Sequence, residues 1–164
     1  MNENGGCYMS LEKVKSYFRA YQMEDRVIEL DVSSATVSLA ALALHVQEAR
    51  IAKTLSFIIQ DKAILIVMAG DVKVQNSKYK KQFGKKAKML SYEQTEQLVG
   101  HVPGGVCPFA INKGVEVYLD VSLQRFDTVF PACGSANSAI ELTIPELEVY
   151  SCFKEWVDVC QIIE

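Results

Sequence analysis

The amino-acid sequence predicts a mixed α/β (α+β) protein, a sheet of mixed strand direction flanked by helices, in one domain of 164 residues. Three observations predict it. Ala52–Gln60 and Ala63–Met68 are apolar stretches rich in Leu, Ile, Val and Phe, separated only by Asp61–Lys62, which reads as a hairpin through the sheet centre. Ser91 with Gln94, and Thr143 with Glu146, have the spacing of capping boxes and mark two helix starts. Strands and helices follow one another irregularly, unlike the repeated βαβ units of a Rossmann fold.

The elements follow in order. Ser10 is a candidate N-cap, and Leu11, Val14, Phe18 and Tyr21 recur at helical spacing behind it. Arg26–Leu30 reads as a short strand. Ser33 or Ser34 is expected to cap a second, alanine- and leucine-rich helix ending at Leu44, with His45 in the left-handed conformation that terminates it. After the central hairpin, Ala69–Gly70–Asp71 breaks the chain. Ser77–Phe83 reads as a short helix carrying lysines. The Ser91 helix runs to Val99 and stops at Gly100. Val115–Asp120 and Thr128–Ala132 are strands joined by a turn through Leu123. Gly134–Asn137 is a loop of small residues, Ala139–Leu142 a strand, Thr143 the start of a brief helix, and Trp156–Cys160 a last strand.

Bulk properties exclude several classes. With 49% hydrophobic and 23% charged residues the chain can bury a core and is not of disordered composition. The apolar runs Leu39–Leu44 and Ala63–Ala69 are far shorter than the roughly 20 residues that span a bilayer, so no membrane association is expected. The N-terminal MNENGGCYMS lacks the pattern of a signal peptide, and the expected location is cytoplasmic. Five cysteines without CxxC spacing suggest reduced thiols rather than a disulfide framework or zinc ribbon. With only two histidines, a histidine-based metal site is not expected. The net charge of −3 does not advertise nucleic-acid binding, but seven lysines lie between Lys73 and Lys88 with no acid among them. Such a patch either binds phosphates or is simply a solvated face.

Three stretches can carry chemistry. Gly100–Ala110 places two adjacent glycines, Gly104 and Gly105, between Pro103 and Pro108. Glycine admits left-handed backbone and close approach, so such a loop can aim N–H groups at an oxyanion or phosphate. The same residues also suit a tight connection with no ligand. Lys53 begins an otherwise apolar strand, where its ammonium either stabilises negative charge in a cleft or snorkels to water. Pro131–Ser138 is small and leaves room for a substrate group, or is an ordinary loop. His101 and Cys107 share the glycine loop without an evident catalytic pairing, and a buried, inert thiol is the simpler reading of Cys107.

In this order and at these separations, Lys53-Thr54-Leu55, Gly70-Asp71, Gly100 through Ala110, Gly134-Ser135-Ala136-Asn137 and Ile140-Glu141-Leu142 resemble the YbaK/EbsC-type aminoacyl-tRNA deacylases, whose fold is shared with the editing domain of some prolyl-tRNA synthetases. The resemblance spans roughly Ser33 to Leu147. It implies a curved, barrel-like mixed sheet flanked by helices and hydrolysis, in trans, of the ester of mischarged tRNA, commonly tRNA for proline carrying alanine or cysteine. No metal or organic cofactor is implied. Lys53 would be the catalytic residue. Thr54, His101, Gly104, Gly105, Gly134, Ser135 and Asn137 would bind substrate, and Lys78, Lys80 and Lys81 would contact the tRNA backbone. The implied partner is mischarged aminoacyl-tRNA, with an aminoacyl-tRNA synthetase left open as a second, and neither membrane nor DNA. The chain departs from the family pattern at His101, where many members have an aromatic residue, at Cys107, where serine is frequent, and at His45 and Ala110, where glycine is usual. A non-catalytic module of the same fold, binding tRNA, a nucleotide or a protein, and a thiol-dependent hydrolase using Cys107 are the competing readings.

Overall fold

The computed structural model describes residues 3–164, with side chains from residue 9 onward; Cys7 and the other residues before Met9 lie outside the described side chains. The first helix, α1, runs Glu3–Arg19. Ser10 therefore lies inside it, buried, and does not cap it; its hydroxyl contacts the Gly100 carbonyl at 3.3 Å and His101 Nδ1 at 3.2 Å. Leu11, Val14 and Phe18 form the buried face, whereas Tyr21 falls past the helix end and is exposed.

Strand β1 is Val27–Glu29 and helix α2 is Val37–Leu44. Its cap is Thr36, whose Oγ1 accepts from the Leu39 N–H, and not Ser33 or Ser34. The helix ends at His45 in the left-handed region, φ 58°, as expected. Ala110 also has a left-handed φ, 53°. Both departures from the family's glycine thus sit where the backbone needs positive φ, a conformation costing an ordinary L-residue about 1–2 kcal/mol.

The central hairpin pairs β2 (Ile51–Ile59) with β3 (Lys62–Ala69) without a bulge, Ala52 opposite Ala69 through Ile59 opposite Lys62. Its two-residue turn is Gln60–Asp61, one residue before the expected position, and both have positive φ. That twist matches the strands it joins. β3 is buried from Ala63 to Ala69, which explains its continuous apolar run. A short strand the sequence did not suggest, β4 (Val72–Val74), follows Gly70. Helices α3 (Asn76–Phe83) and α4 (Tyr92–Val99) come next, the second with its Ser91/Gln94 capping box formed and with Gly100 left-handed at its end.

β5 is Glu116–Asp120 and β6 is Thr128–Pro131. The expected Ala139–Leu142 strand is divided into β7 (Ser138–Ile140), paired with β1, and β8 (Leu142–Thr143), paired with β6. Helix α5 (Ile144–Ser151) carries the Thr143/Glu146 capping box. The expected Trp156–Cys160 strand is also divided: β9 (Glu155–Val157) joins β5, and β10 (Cys160–Ile162) joins β4. The corner between them is held by buried Asp120, which accepts from the Val159 N–H at 2.9 Å.

The main sheet is six-stranded in the order β8-β6-β2-β3-β5-β9, with the central hairpin in the middle and mixed strand directions. It curls into a half-barrel, as the resemblance implied. One edge of β2 follows β3 along its length. The other edge meets β6 only at Ile51 and Ala52. Further along, it meets the segment before α4, where the Ile58 N–H donates to the Lys88 carbonyl and the Leu90 N–H donates to the Ser56 carbonyl. Between these contacts Lys53–Leu55 have no strand on that edge.

Candidate functional site

The gap in the sheet opens into a cavity of about 420 Å³, within the usual size of small-ligand sites. Six consecutive residues of β2, Ile51–Ser56, border it because the cavity wraps around the bare strand edge. The Ser56 carbonyl and Ile58 N–H face outward from the hairpin. By strand alternation the N–H and C=O of Thr54 face the same way, into the gap. The opposite walls come from the start of α2, the Pro103–Val106 part of the glycine loop and the Met89–Thr95 segment.

Two hydroxyls in this wall, Ser34 Oγ and Thr54 Oγ1, are buried and have no hydrogen-bond partner in the protein. Buried polar atoms are ordinarily satisfied, so these two residues of the cavity wall each carry an unmet hydrogen-bonding group beneath its surface. Ser56 and Thr95 are instead paired with each other at 3.2 Å, tying β2 to α4. Lys53 is the only charged side chain among the lining residues. Its ammonium donates to the Val72 carbonyl. Burial lowers its pKa from the ordinary lysine value, against the opposing pull of Cys160 and Asp71.

The glycine loop and the small-residue loop meet directly behind this wall. A Cβ on Gly105 would lie 2.5 Å from Gly134 C and Ser135 N, and one on Gly134 would lie 2.6 Å from the Ser10 carbonyl oxygen. Gly104 is different: its φ is 98°, it lines the cavity, and its nearest neighbours, Ala35 and Ala136, leave ordinary space. The Gly105 N–H is used by the Val102 carbonyl, so this donor is not free to meet an oxyanion. Buried Ser135 donates within its own loop, and Asn137 Nδ2 donates to the Leu30 carbonyl while the Leu30 N–H donates to the Asn137 carbonyl. These bonds, with the Ser34 N–H donating to the Ala136 carbonyl, hold the start of α2 over the cavity.

Residues 32–149 match the model of the aminoacyl-tRNA editing domain family. The chain belongs to that family. It is 53% identical to the uncharacterized protein YwhH of Bacillus subtilis (strain 168) over 154 residues, 93% of this chain and 98% of that one. A crystal structure presented as a candidate trans-editing enzyme for prolyl-tRNA synthetase superposes with TM-score 0.83 at 25% identity, covering 93% of this chain and 97% of that one. The structure of a hypothetical protein superposes with TM-score 0.80 at 25% identity, covering 91% and 99%.

Within this editing domain the residues singled out in the sequence separate into groups. Lys53, Thr54 and Gly104 border the cavity. Gly105, Gly134, Ser135, Asn137 and His101 are not among its lining residues and build the support behind it. Lys80 and Lys81 are exposed on α3, whereas Lys78 is paired with Asp158 at 2.9 Å and donates to the Cys160 carbonyl. Ser34, Met89, Tyr92 and Thr95 line the cavity without having been singled out as substrate contacts. The serines and threonines near α2 look like ordinary helix-start residues, and nothing in the sequence reveals that one hydroxyl is left without a partner.

His101 and Cys107 are fully buried and 3.5 Å apart. Burial lowers the His101 pKa to about 4 and raises that of Cys107 to about 12, so both are neutral near pH 7. That is the reverse of an activated thiolate–imidazolium pair. His101 Nε2 lies 2.7 Å from the Phe109 carbonyl and Nδ1 lies 3.2 Å from Ser10 Oγ. A neutral ring protonated on Nε2 satisfies both: it donates to the carbonyl and accepts from the serine. Among the described residues no three His, Cys, Asp or Glu side chains gather as a metal-ligand set.

The buried imidazole predicts a pH dependence of stability. The unfolded chain protonates His101 near 6.5 and the folded chain near 4, so the unfolded state binds more protons between these values. Stability from this group is complete above pH 6.5 and is lost as pH falls toward 4, by roughly 3 kcal/mol in total. Urea midpoints across this range should fall less steeply in His101→Gln than in wild type. Equal slopes would remove His101 as the cause.

Proposed function

We propose that this chain hydrolyses the ester joining an amino acid to the terminal adenosine of mischarged tRNA, in trans, with tRNA for proline carrying alanine or cysteine as the first substrates to examine. The observation that supports it best is the bare β2 edge. There Lys53, Ser34 and Thr54 border one cavity, while Cys107 lies buried outside its lining.

An aminoacyl ester is already reactive, so correct placement and charge stabilisation can supply much of the rate. The Lys53 ammonium and the Thr54 N–H supply positive charge and a donor where negative charge develops on the carbonyl oxygen. Water attacks the carbonyl carbon, the carbon–oxygen ester bond breaks, and the ribose oxygen leaves with the proton the water gives up, so that free amino acid and a ribose hydroxyl result. Gly104 lets the substrate approach the loop backbone. Val37, Leu44, Ile51 and Phe130 provide apolar wall, and no acidic side chain is present in the lining to balance a basic amino acid. This favours a small, uncharged amino-acid group.

Release of amino acid from a panel of mischarged tRNAs tests the proposal, with turnover expected on at least one uncharged, small amino acid. Binding without turnover across the panel would leave a binding module of the same fold. Cys107→Ser should retain activity; its loss with the fold intact would favour the thiol-dependent reading.

A further inference from the structure

Met89 and Tyr92 are 55% and 57% exposed, and no other exposed large hydrophobic residue among the described residues lines the cavity. What sets this pair apart from the other exposed apolar side chains is its place at the rim of a ligand-sized cavity, where it is positioned to meet what enters. Both are held in place. The Met89 backbone bridges to Phe57, with hydrogen bonds to β2 from Lys88 and Leu90 on either side. Tyr92 is the first residue of α4, directly after the Ser91 capping box. Lys85, Lys86 and Lys88 precede this pair in the chain, exposed and without a salt bridge among the described residues. From Lys73 to Tyr92 there is no acidic residue.

We propose that Tyr92 and Met89 form the platform on which the terminal base of the RNA acceptor strand stacks, with Lys85, Lys86 and Lys88 holding the phosphates that lead to it. The inference rests on the editing reading and extends it to how the RNA end is recognised. An exposed aromatic ring and thioether at the cavity rim, closely preceded in the chain by three exposed lysines, match a single strand, whose bases present π faces and whose backbone presents phosphates. Stacking on one aromatic residue accepts any base, so this platform would seat the end without reading sequence. It also moves the basic contact toward the cavity mouth: Lys88 is the chain neighbour of Met89, whereas Lys78 is occupied by Asp158.

The test uses an uncharged RNA minihelix ending in single-stranded CCA, and the same RNA with its terminal nucleotide made abasic. Tyr92→Ala is expected to weaken binding of the intact RNA by about tenfold and of the abasic RNA hardly at all, while Tyr92→Phe binds both as wild type does. Neutralising Lys85, Lys86 and Lys88 together should flatten the dependence of log affinity on log salt by about 2. Equal weakening of both RNAs by Tyr92→Ala, or an unchanged salt slope, would overturn the proposal, as would failure of the wild type to bind either RNA. Because the RNA carries no ester, this result is independent of turnover. Intact stacking without hydrolysis overturns only the deacylase reading, and hydrolysis with an unchanged KM in Tyr92→Ala overturns only the platform.

Discussion

Lys53→Met is expected to hydrolyse mischarged tRNA at least about 100-fold more slowly than wild type, the loss typical of removing one group that stabilises a developing oxyanion. Methionine keeps much of the aliphatic stem in its half-buried slot and removes the charge. The loss of the bond to the Val72 carbonyl should cost stability only about 1 kcal/mol. A large fall in kcat with a nearly unchanged urea midpoint separates chemistry from folding. Lys53→Arg restores charge with a planar, bulkier head, and an intermediate rate is expected. The pH profile is a second readout. Burial lowers the Lys53 pKa, so the active ammonium should be lost at a pH below the ordinary lysine value of about 10.4. The alkaline limb must therefore descend after subtraction of spontaneous ester hydrolysis, which rises with pH. Full activity in Lys53→Met would remove this residue from the chemistry.

The same lysine illustrates what was legible before the structure. Its strand was legible from local signals, as were the Gln94 and Glu146 capping boxes and the helix ends at His45 and Gly100, because each depends on residues within a few positions of one another. Long-range pairing was not legible. β4 and β10 are three residues each and stabilise one another across about half the length of the chain, so neither carries a signal of its own. Ser10 resembled a cap because the segment before it is polar, yet its hydroxyl faces the glycine loop 90 residues away. The cavity itself arises where β6 parts from β2 after two residues, and no feature of Lys53-Thr54-Leu55 discloses a missing neighbour. Family motifs singled out stretches that meet in the fold. They did not distinguish Gly104, which faces the cavity, from Gly105, which faces another backbone.

That distinction predicts opposite outcomes at adjacent positions. A methyl group at Gly105 would meet the Gly134 carbonyl carbon and Ser135 nitrogen at 2.5 Å, and Gly134 has little room to retreat, because it packs so closely on α1 that a Cβ added to it would lie 2.6 Å from the Ser10 carbonyl oxygen. Neither neighbour is a flexible side-chain end, so the glycine loop, the 134–138 loop or α1 must move. Gly105→Ala is expected to lose roughly 3 kcal/mol, the upper part of the range for overpacking a tight site, and to lower activity by displacing the wall that carries Gly104. Gly104→Ala meets atoms only at 3.7 and 3.8 Å and bears the strain of its positive φ alone, about 1–2 kcal/mol. Its larger effect should fall on KM and kcat, because its methyl would enter substrate space. Urea unfolding and deacylation measured on both variants compare the two directly. A wild-type midpoint for Gly105→Ala would mean that the three backbones do not stack as closely as described, and the support assigned to Gly134, Ser135 and Ser10 would have to be withdrawn with it.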